Sequence, residues 1–213
     1  MNLSNNTNLV TFLNDIFNTN LEFSYNHSEE FFNNFRDDQT PKVTVLKCSD
    51  SRVQTESFDK TPQNAVFAIR NIGNQVNTCE GSIDFGVRIL KTPFLLIIGH
   101  SGCGAVQSVL SKKLTNIKAI DKELESLKLS KKDLKSAIIE NVNNQTQISM
   151  IKYKDLVESN QLVVLGTIYD FKDDFGFGKG KMVLVSVNHK KSTQESYKQL
   201  GKMVKNLNFL NLS

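Results

Sequence analysis

Five short apolar runs constrain this chain more than anything else in it: VTVL (43–46), AVFAI (65–69), FLLIIG (94–99), LVVLGTI (162–168) and MVLVSV (182–187). They are nearly continuous in Val, Ile, Leu and Phe, which suits strands covered on both faces. Helical patterns near 78–90, 101–111 and 133–158 separate several of them. Strands alternating with helices predict an α/β fold, with a central, mostly parallel β-sheet flanked by helices. The glycine-rich DDFGFGKGK at 173–181 predicts a hairpin, making the last run an antiparallel edge strand. Its KGK is no phosphate loop, because neither Ser nor Thr follows Lys181 and the glycine spacing is wrong.

Three prolines, no Gly/Ser-rich linker and no internal repeat predict one domain over 1–213. It comprises an N-terminal helical arm (1–40), an α/β core (41–190) and a C-terminal helix (191–213), whose pattern is clearest over 192–207. In the arm, Ser28 is a predicted N-cap, followed by Glu29 and Glu30 and then by Phe31, Phe32 and Phe35. Such an arm suits packing on another subunit. With 39% hydrophobic residues, 213 positions can bury a sizeable core. The net charge of +4 is spread over 26 basic and 22 acidic residues without a dense basic block, so nucleic acid is not an expected partner. The start, MNLSNNTNLVTFLNDIF, lacks a positive segment followed by a long apolar one, and the longest apolar run, FLLII, cannot span a bilayer. The expectation is a soluble, cytoplasmic protein without a membrane partner. Three cysteines do not form a disulfide framework; in a reducing compartment they are ligands, nucleophiles or core residues.

Two motifs follow predicted strands, where α/β sheets gather ligands. LKCSDSRV (46–53) sets Cys48, Asp50 and Arg52 at alternate positions, and GHSGCGAV (99–106) sets His100 and Cys103 three apart at a helix opening, where both can share one face. Taken alone, H-x-x-C is an ordinary helix start. If the two strands lie parallel and adjacent, Cys48, His100 and Cys103 converge. Two thiolates and an imidazole suit zinc, and three protein ligands leave a tetrahedral position open. Cys79 is expected at a helix start packed on the sheet, while His27 and His189 are expected to be structural or exposed. Thiolates offset the metal's charge and make water activation harder. An aspartate alongside can accept a hydroxide's proton in a hydrogen bond and aim its lone pair, while a bidentate arginine keeps that carboxylate ionised and turned away.

Over roughly residues 20–190 the chain resembles the β-class carbonic anhydrases, through CSDSRV, RNIGN (70–74), SIDFGV (82–87), GHSGCGAV, ENV (140–142) and VVLGTIYDF (163–171). The resemblance implies one zinc ion per chain on Cys48, His100 and Cys103, with Asp50 and Arg52 as the dyad beside it. It implies a substrate pocket with Gln39 as a hydrogen-bonding residue, Phe67, Ile72 and Phe85 as an apolar wall, and Gly104 alongside. A neighbouring subunit completes that wall in the family, so a homodimer or homotetramer is implied. The implied activity is reversible hydration of CO2 to bicarbonate. The alternatives are COS or CS2 hydrolysis on the same fold, or a non-catalytic zinc-binding relative. Some bacterial relatives use Trp, Tyr and Arg in a bicarbonate site that pulls the aspartate onto zinc. Here Val45 and Phe85 leave only Arg70, which predicts an open site without that switch. Gln54, where proline is common, lies outside the ligand set and is expected to change little.

Overall fold

A computed structural model describes residues 7–112, 115–188 and 201–210. The chain divides into two compact units, Met1–Thr40 and Pro41–Ser213.

The first unit holds the two expected helical pieces, α1 (Thr7–Tyr25) and α2 (Glu29–Asn33). Ser28 caps α2, its Oγ accepting from the Phe31 amide at 3.2 Å, and Glu29 and Glu30 sit at the positive end of the helix. His27 packs between aromatic rings, 4.1 Å from Phe23 and 4.2 Å from Phe31 between centroids, so it is structural. On α1, Val10, Leu13, Phe17 and Leu21 recur at helical spacing as an exposed apolar stripe.

The second unit is built on β1 (Val43–Cys48), β2 (Val66–Asn71), β3 (Phe94–His100), β4 (Val163–Asp170), β5 (Lys181–Val187) and β6 (Asn208–Phe209). The order across the sheet is β2-β1-β3-β4-β5-β6. The first four are parallel, β5 is antiparallel to β4, and β6 is parallel to β5. Val45 and Leu46 of β1 and Leu95, Ile97 and Ile98 of β3 are fully buried, as their continuous apolar runs require. From β1 the chain winds out to β2 and then crosses to β3 on the other side of β1. The winding therefore reverses between β1 and β3, where the carboxyl ends of the strands leave a crevice.

Helices cover the sheet. The expected stretch at 78–90 is α3 (Glu80–Asp84) widening into a π-helical turn over Phe85–Ile89. The stretch at 101–111 is α4 (Gly104–Leu110); α5 (Lys118–Leu124) has no counterpart in the sequence prediction. The stretch at 133–158 is divided into α6 (Leu134–Lys152) and α7 (Lys154–Glu158) at Tyr153, whose hydroxyl donates to Asp84 Oδ1 at 2.8 Å. α6 lies close on β3 and β4: a Cβ on Gly99 would stand 2.6 Å from Val142, and one on Gly166 2.8 Å from Thr146. Only glycine permits that approach.

In the hairpin, the Asp170 carboxylate accepts the amides of Asp174 (3.0 Å) and Phe175 (2.8 Å), and Gly176, Gly178 and Gly180 supply the positive φ values of a turn. The predicted C-terminal helix over 191–213 is corrected in part. Residues 201–203 are helical, Asn208–Phe209 form β6 against Val183 and Leu184, and 191–200 and 211–213 lie outside the described residues, as does His189. Two residues beyond β5 suffice to cover part of its edge. Among the described residues no helix is long and apolar enough to cross a membrane.

One buried charge lies beside the crevice. Lys47, 1% exposed, donates from Nζ to Thr55 Oγ1 at 2.6 Å. Burial, and next the charge of Arg70, lower its pKa from 10.5 to about 8. Between those values the unfolded chain holds more proton than the folded one, so stability rises with pH across about 8 to 10.5. Lys47→Met removes that rise; thermal melts across the window check it, and an unchanged slope contradicts the assignment.

Candidate metal centre

Cys48 ends β1, His100 ends β3 and Cys103 is the N-cap of α4. β1 and β3 are parallel neighbours, with Lys47 opposite Ile98, so their carboxyl ends bring Cys48 and His100 to one edge of the sheet. The expected helical face for His100 and Cys103 is corrected: His100 still belongs to the strand and Cys103 is extended, at φ −65° and ψ 118°. The turn through Ser101 and Gly102 brings the two together. Gly102 takes φ +63°, and a Cβ there would meet Lys172 at 3.2 Å, so this turn calls for glycine.

All three side chains are buried, and their possible ligand atoms lie within 4.8 Å of one another. Nδ1 of His100 donates to the Ser101 carbonyl at 3.0 Å, which leaves the Nε2 lone pair inward. That nitrogen is buried without a hydrogen-bond partner. A buried polar atom left so costs about 1–3 kcal/mol, a penalty that a metal ion removes. The thiols are poised in the same way. A hydrogen bond from Cys103 holds the Cys48 thiol well below its usual range against the cost of burial, helped by His100 and the amides of Asp50 and Gly73. Cys103 is pushed up by the same contact with Cys48 and by burial, so the two thiols share a proton. Two sulfurs and an imidazole form a donor set for a tetrahedral metal with one open position.

The amide network behind Cys48 is anchored by α6. Asn141 Nδ2 donates to the Gly73 carbonyl at 3.0 Å, and Gln145 Oε1 accepts the Val76 amide at 2.9 Å. This explains polar residues on the buried face of a helix. Cys79 stands apart as the N-cap of α3, close to Asn71 Nδ2 (3.2 Å) and the Gln75 carbonyl (3.1 Å), as a helix-start residue should.

Asp50 faces the centre. Its Oδ1 accepts Nε of Arg52 at 2.9 Å and the Arg52 amide at 3.0 Å; Oδ2 accepts Nη2 at 2.7 Å and lies 3.8 Å from His100 Nε2. The Arg52 guanidinium holds the Asp50 carboxyl well below the usual carboxylate range. Arg52 in turn lies over Phe171, 4.5 Å from its ring centroid, and that ring stacks 5.9 Å from the His100 imidazole at 24°. Sequence reasoning gave Phe171 no role, although VVLGTIYDF ends on it.

A family model described as carbonic anhydrase matches residues 43–176. The chain belongs to the β-class carbonic anhydrase family. It is 38% identical over 74 residues to a carbonic anhydrase of Mycolicibacterium smegmatis, covering 34% of this chain and 36% of that protein. It is 33% identical over 109 residues to one of Candida albicans, covering 47% of this chain and 38% of that protein. The chain therefore spans little more than a third of the length of these curated relatives. In fold it is similar to a β-carbonic anhydrase of Sordaria macrospora, described as tetrameric, with a TM-score of 0.69, 22% identity and coverage of 84% of this chain and 98% of that one. It is also similar to a β-carbonic anhydrase of Aspergillus fumigatus, with a TM-score of 0.67, 22% identity and coverage of 91% and 99%.

The pocket residues expected of a β-class carbonic anhydrase are dispersed in the chain. Ile72 packs against the core cluster that contains Cys48 and Cys103. Phe67 and Phe85 stack on each other at 5.9 Å, Phe67 against a different cluster around Leu46, Ile69 and Ile83. Gly104 is exposed, and a Cβ there would meet nothing within 4 Å. Gln39 is exposed in the first unit.

Proposed function

We propose that this chain catalyses the reversible hydration of CO2 to bicarbonate and a proton, with zinc on Cys48, His100 and Cys103. The observation that carries the reading is the bidentate Asp50–Arg52 pair, its Oδ2 3.8 Å from the unpartnered nitrogen of His100. A metal that only braces a fold has no use for such a pair. Zinc, when bound, supplies the Lewis acidity that makes hydroxide available near neutral pH. With zinc held by Cys48, His100 and Cys103, Asp50 Oδ2 would be the hydrogen-bond acceptor that orients the attacking oxygen towards the carbon of CO2. Arg52, bonded to both carboxylate oxygens, would keep Asp50 ionised and off the metal, and Val45 and Phe85 leave the chain without the residues of a bicarbonate-driven closure. Phe67, Ile72, Phe85 and Gly104 line a narrow apolar pocket suited to a small apolar molecule.

A homodimer or homotetramer completes that pocket. The exposed α1 stripe, with Phe85 at 43% and Ile89 at 65% exposure, supports such an assembly. A cytoplasmic location fits three free cysteines, two of them aimed at a metal. Parallel assays with CO2 and COS on metal-replete protein test the reading. Faster turnover of CO2 is expected; preference for COS makes the chain a hydrolase of that fold, and turnover of neither leaves a non-catalytic metal protein.

A further inference from the structure

We infer that Gln54 is a positioning residue, which acts through Arg70 to hold the loop that carries the Asp50–Arg52 pair. Arg70 lies on β2, opposite Lys47 of β1. Its Nη2 donates to the backbone carbonyl of Asp50 at 2.8 Å, and its Nη1 donates to Gln54 Oε1 at 3.0 Å. The other end of the Gln54 amide turns back, with Nε2 donating to the Ser51 carbonyl at 2.7 Å. One primary amide thus supplies the acceptor that fixes the arginine and the donor that closes the turn. Neither proline nor alanine offers either group, and glutamate offers only the first.

The loop is held from both flanking strands. On the β2 side, the Ser49 amide donates to the Asn71 carbonyl at 2.9 Å, and Arg70 takes the Asp50 carbonyl, which also accepts the Val53 amide at 3.0 Å. On the β3 side, Arg52 Nη2 reaches the Gly102 carbonyl at 3.5 Å, in the turn between His100 and Cys103. Without Gln54 the Arg70 side chain, exposed at the surface, has one anchor fewer and a wider choice of rotamers. The Asp50 carbonyl, and with it the carboxylate's aim, then loses a fixed reference to β2. Gln54 is therefore not the neutral departure that its place outside the ligand set suggested.

The effect on turnover rests on the proposed role of Asp50; the loop clamp does not. Metal-loaded wild type, Gln54→Ala, Gln54→Glu, Gln54→Pro, Arg70→Ala and Gln54→Ala/Arg70→Ala are compared by amide hydrogen exchange of Arg52 and Val53, and by kcat and KM for CO2. Gln54→Ala, Gln54→Pro and Arg70→Ala are expected to speed exchange roughly 2- to 10-fold, the scale of one exposed hydrogen bond. The same variants should lower kcat by a similar factor with KM and metal content unchanged. Gln54→Glu, which keeps the acceptor for Arg70, retains most of the wild-type behaviour, and the double variant is no worse than the worse single one. Unchanged exchange in Gln54→Ala, or strict additivity in the double variant, overturns the inference. Inert wild type with the predicted exchange pattern overturns the hydration reading and leaves the clamp standing.

Discussion

Alanine at Cys48, His100 or Cys103 strips the chain of its metal. Structural zinc sites bind with about 10–16 kcal/mol at neutral pH, so one of three protein ligands carries several kcal/mol, on the order of a thousandfold in affinity or more. Each variant should emerge from a desalting column with trace metal where wild type retains one ion per chain, and activity should fall with it. The pH dependence has a definite sign. The buried Cys48–Cys103 pair shares a proton that metal must displace, so affinity rises with pH and loading releases acid. Elemental analysis and an indicator dye in weak buffer measure the two effects. Full metal retention in any of the three variants contradicts the ligand set.

Asp50→Asn keeps the metal and loses most of the activity. Arg52 places Nε and its backbone amide on Oδ1 and Nη2 on Oδ2. An asparagine must give its single oxygen to one side of that fork. With the oxygen on the Oδ1 side, where two donors wait, the NH2 takes the place of Oδ2, 3.8 Å from His100 Nε2. The atom facing the centre changes from acceptor to donor and could no longer accept a hydrogen bond from a group at the metal. A loss of roughly 10- to 100-fold in kcat at constant metal content is expected, the scale for groups that orient a metal's surroundings. Steady-state kinetics with metal quantified in the same sample decides it, and near-wild-type kcat would remove Asp50 from the mechanism.

What was legible in the sequence follows from the range of the forces involved. All five long strands lie within two residues of their predicted ends, because burial on both faces writes itself as continuous apolar runs. The convergence of Cys48, His100 and Cys103 needed one further fact, that β1 and β3 are parallel neighbours, and the sheet supplies it. The misses are elements decided by tertiary contact. α5 is seven residues long, with little apolar signal beyond Ile120 and Leu124, and it is fixed by packing on the core. β6 exists only because β5 offers an edge. The π-helical turn at Phe85 forms where Gly86 presses on Thr44 and Phe67, a closeness that periodicity does not encode. Phe171 and Gln54 were visible as residues, but Phe171 meets Arg52 through the fold and Gln54 meets Arg70 across 16 positions, contacts that no local pattern encodes.

Stopped-flow CO2 hydration on purified protein, with zinc quantified in the same sample, decides whether this chain hydrates CO2 through a bound metal. Hydration above the buffer rate is expected, in proportion to zinc content and abolished with the metal in Cys48→Ala. A zinc-replete sample that hydrates CO2 no faster than buffer contradicts that expectation.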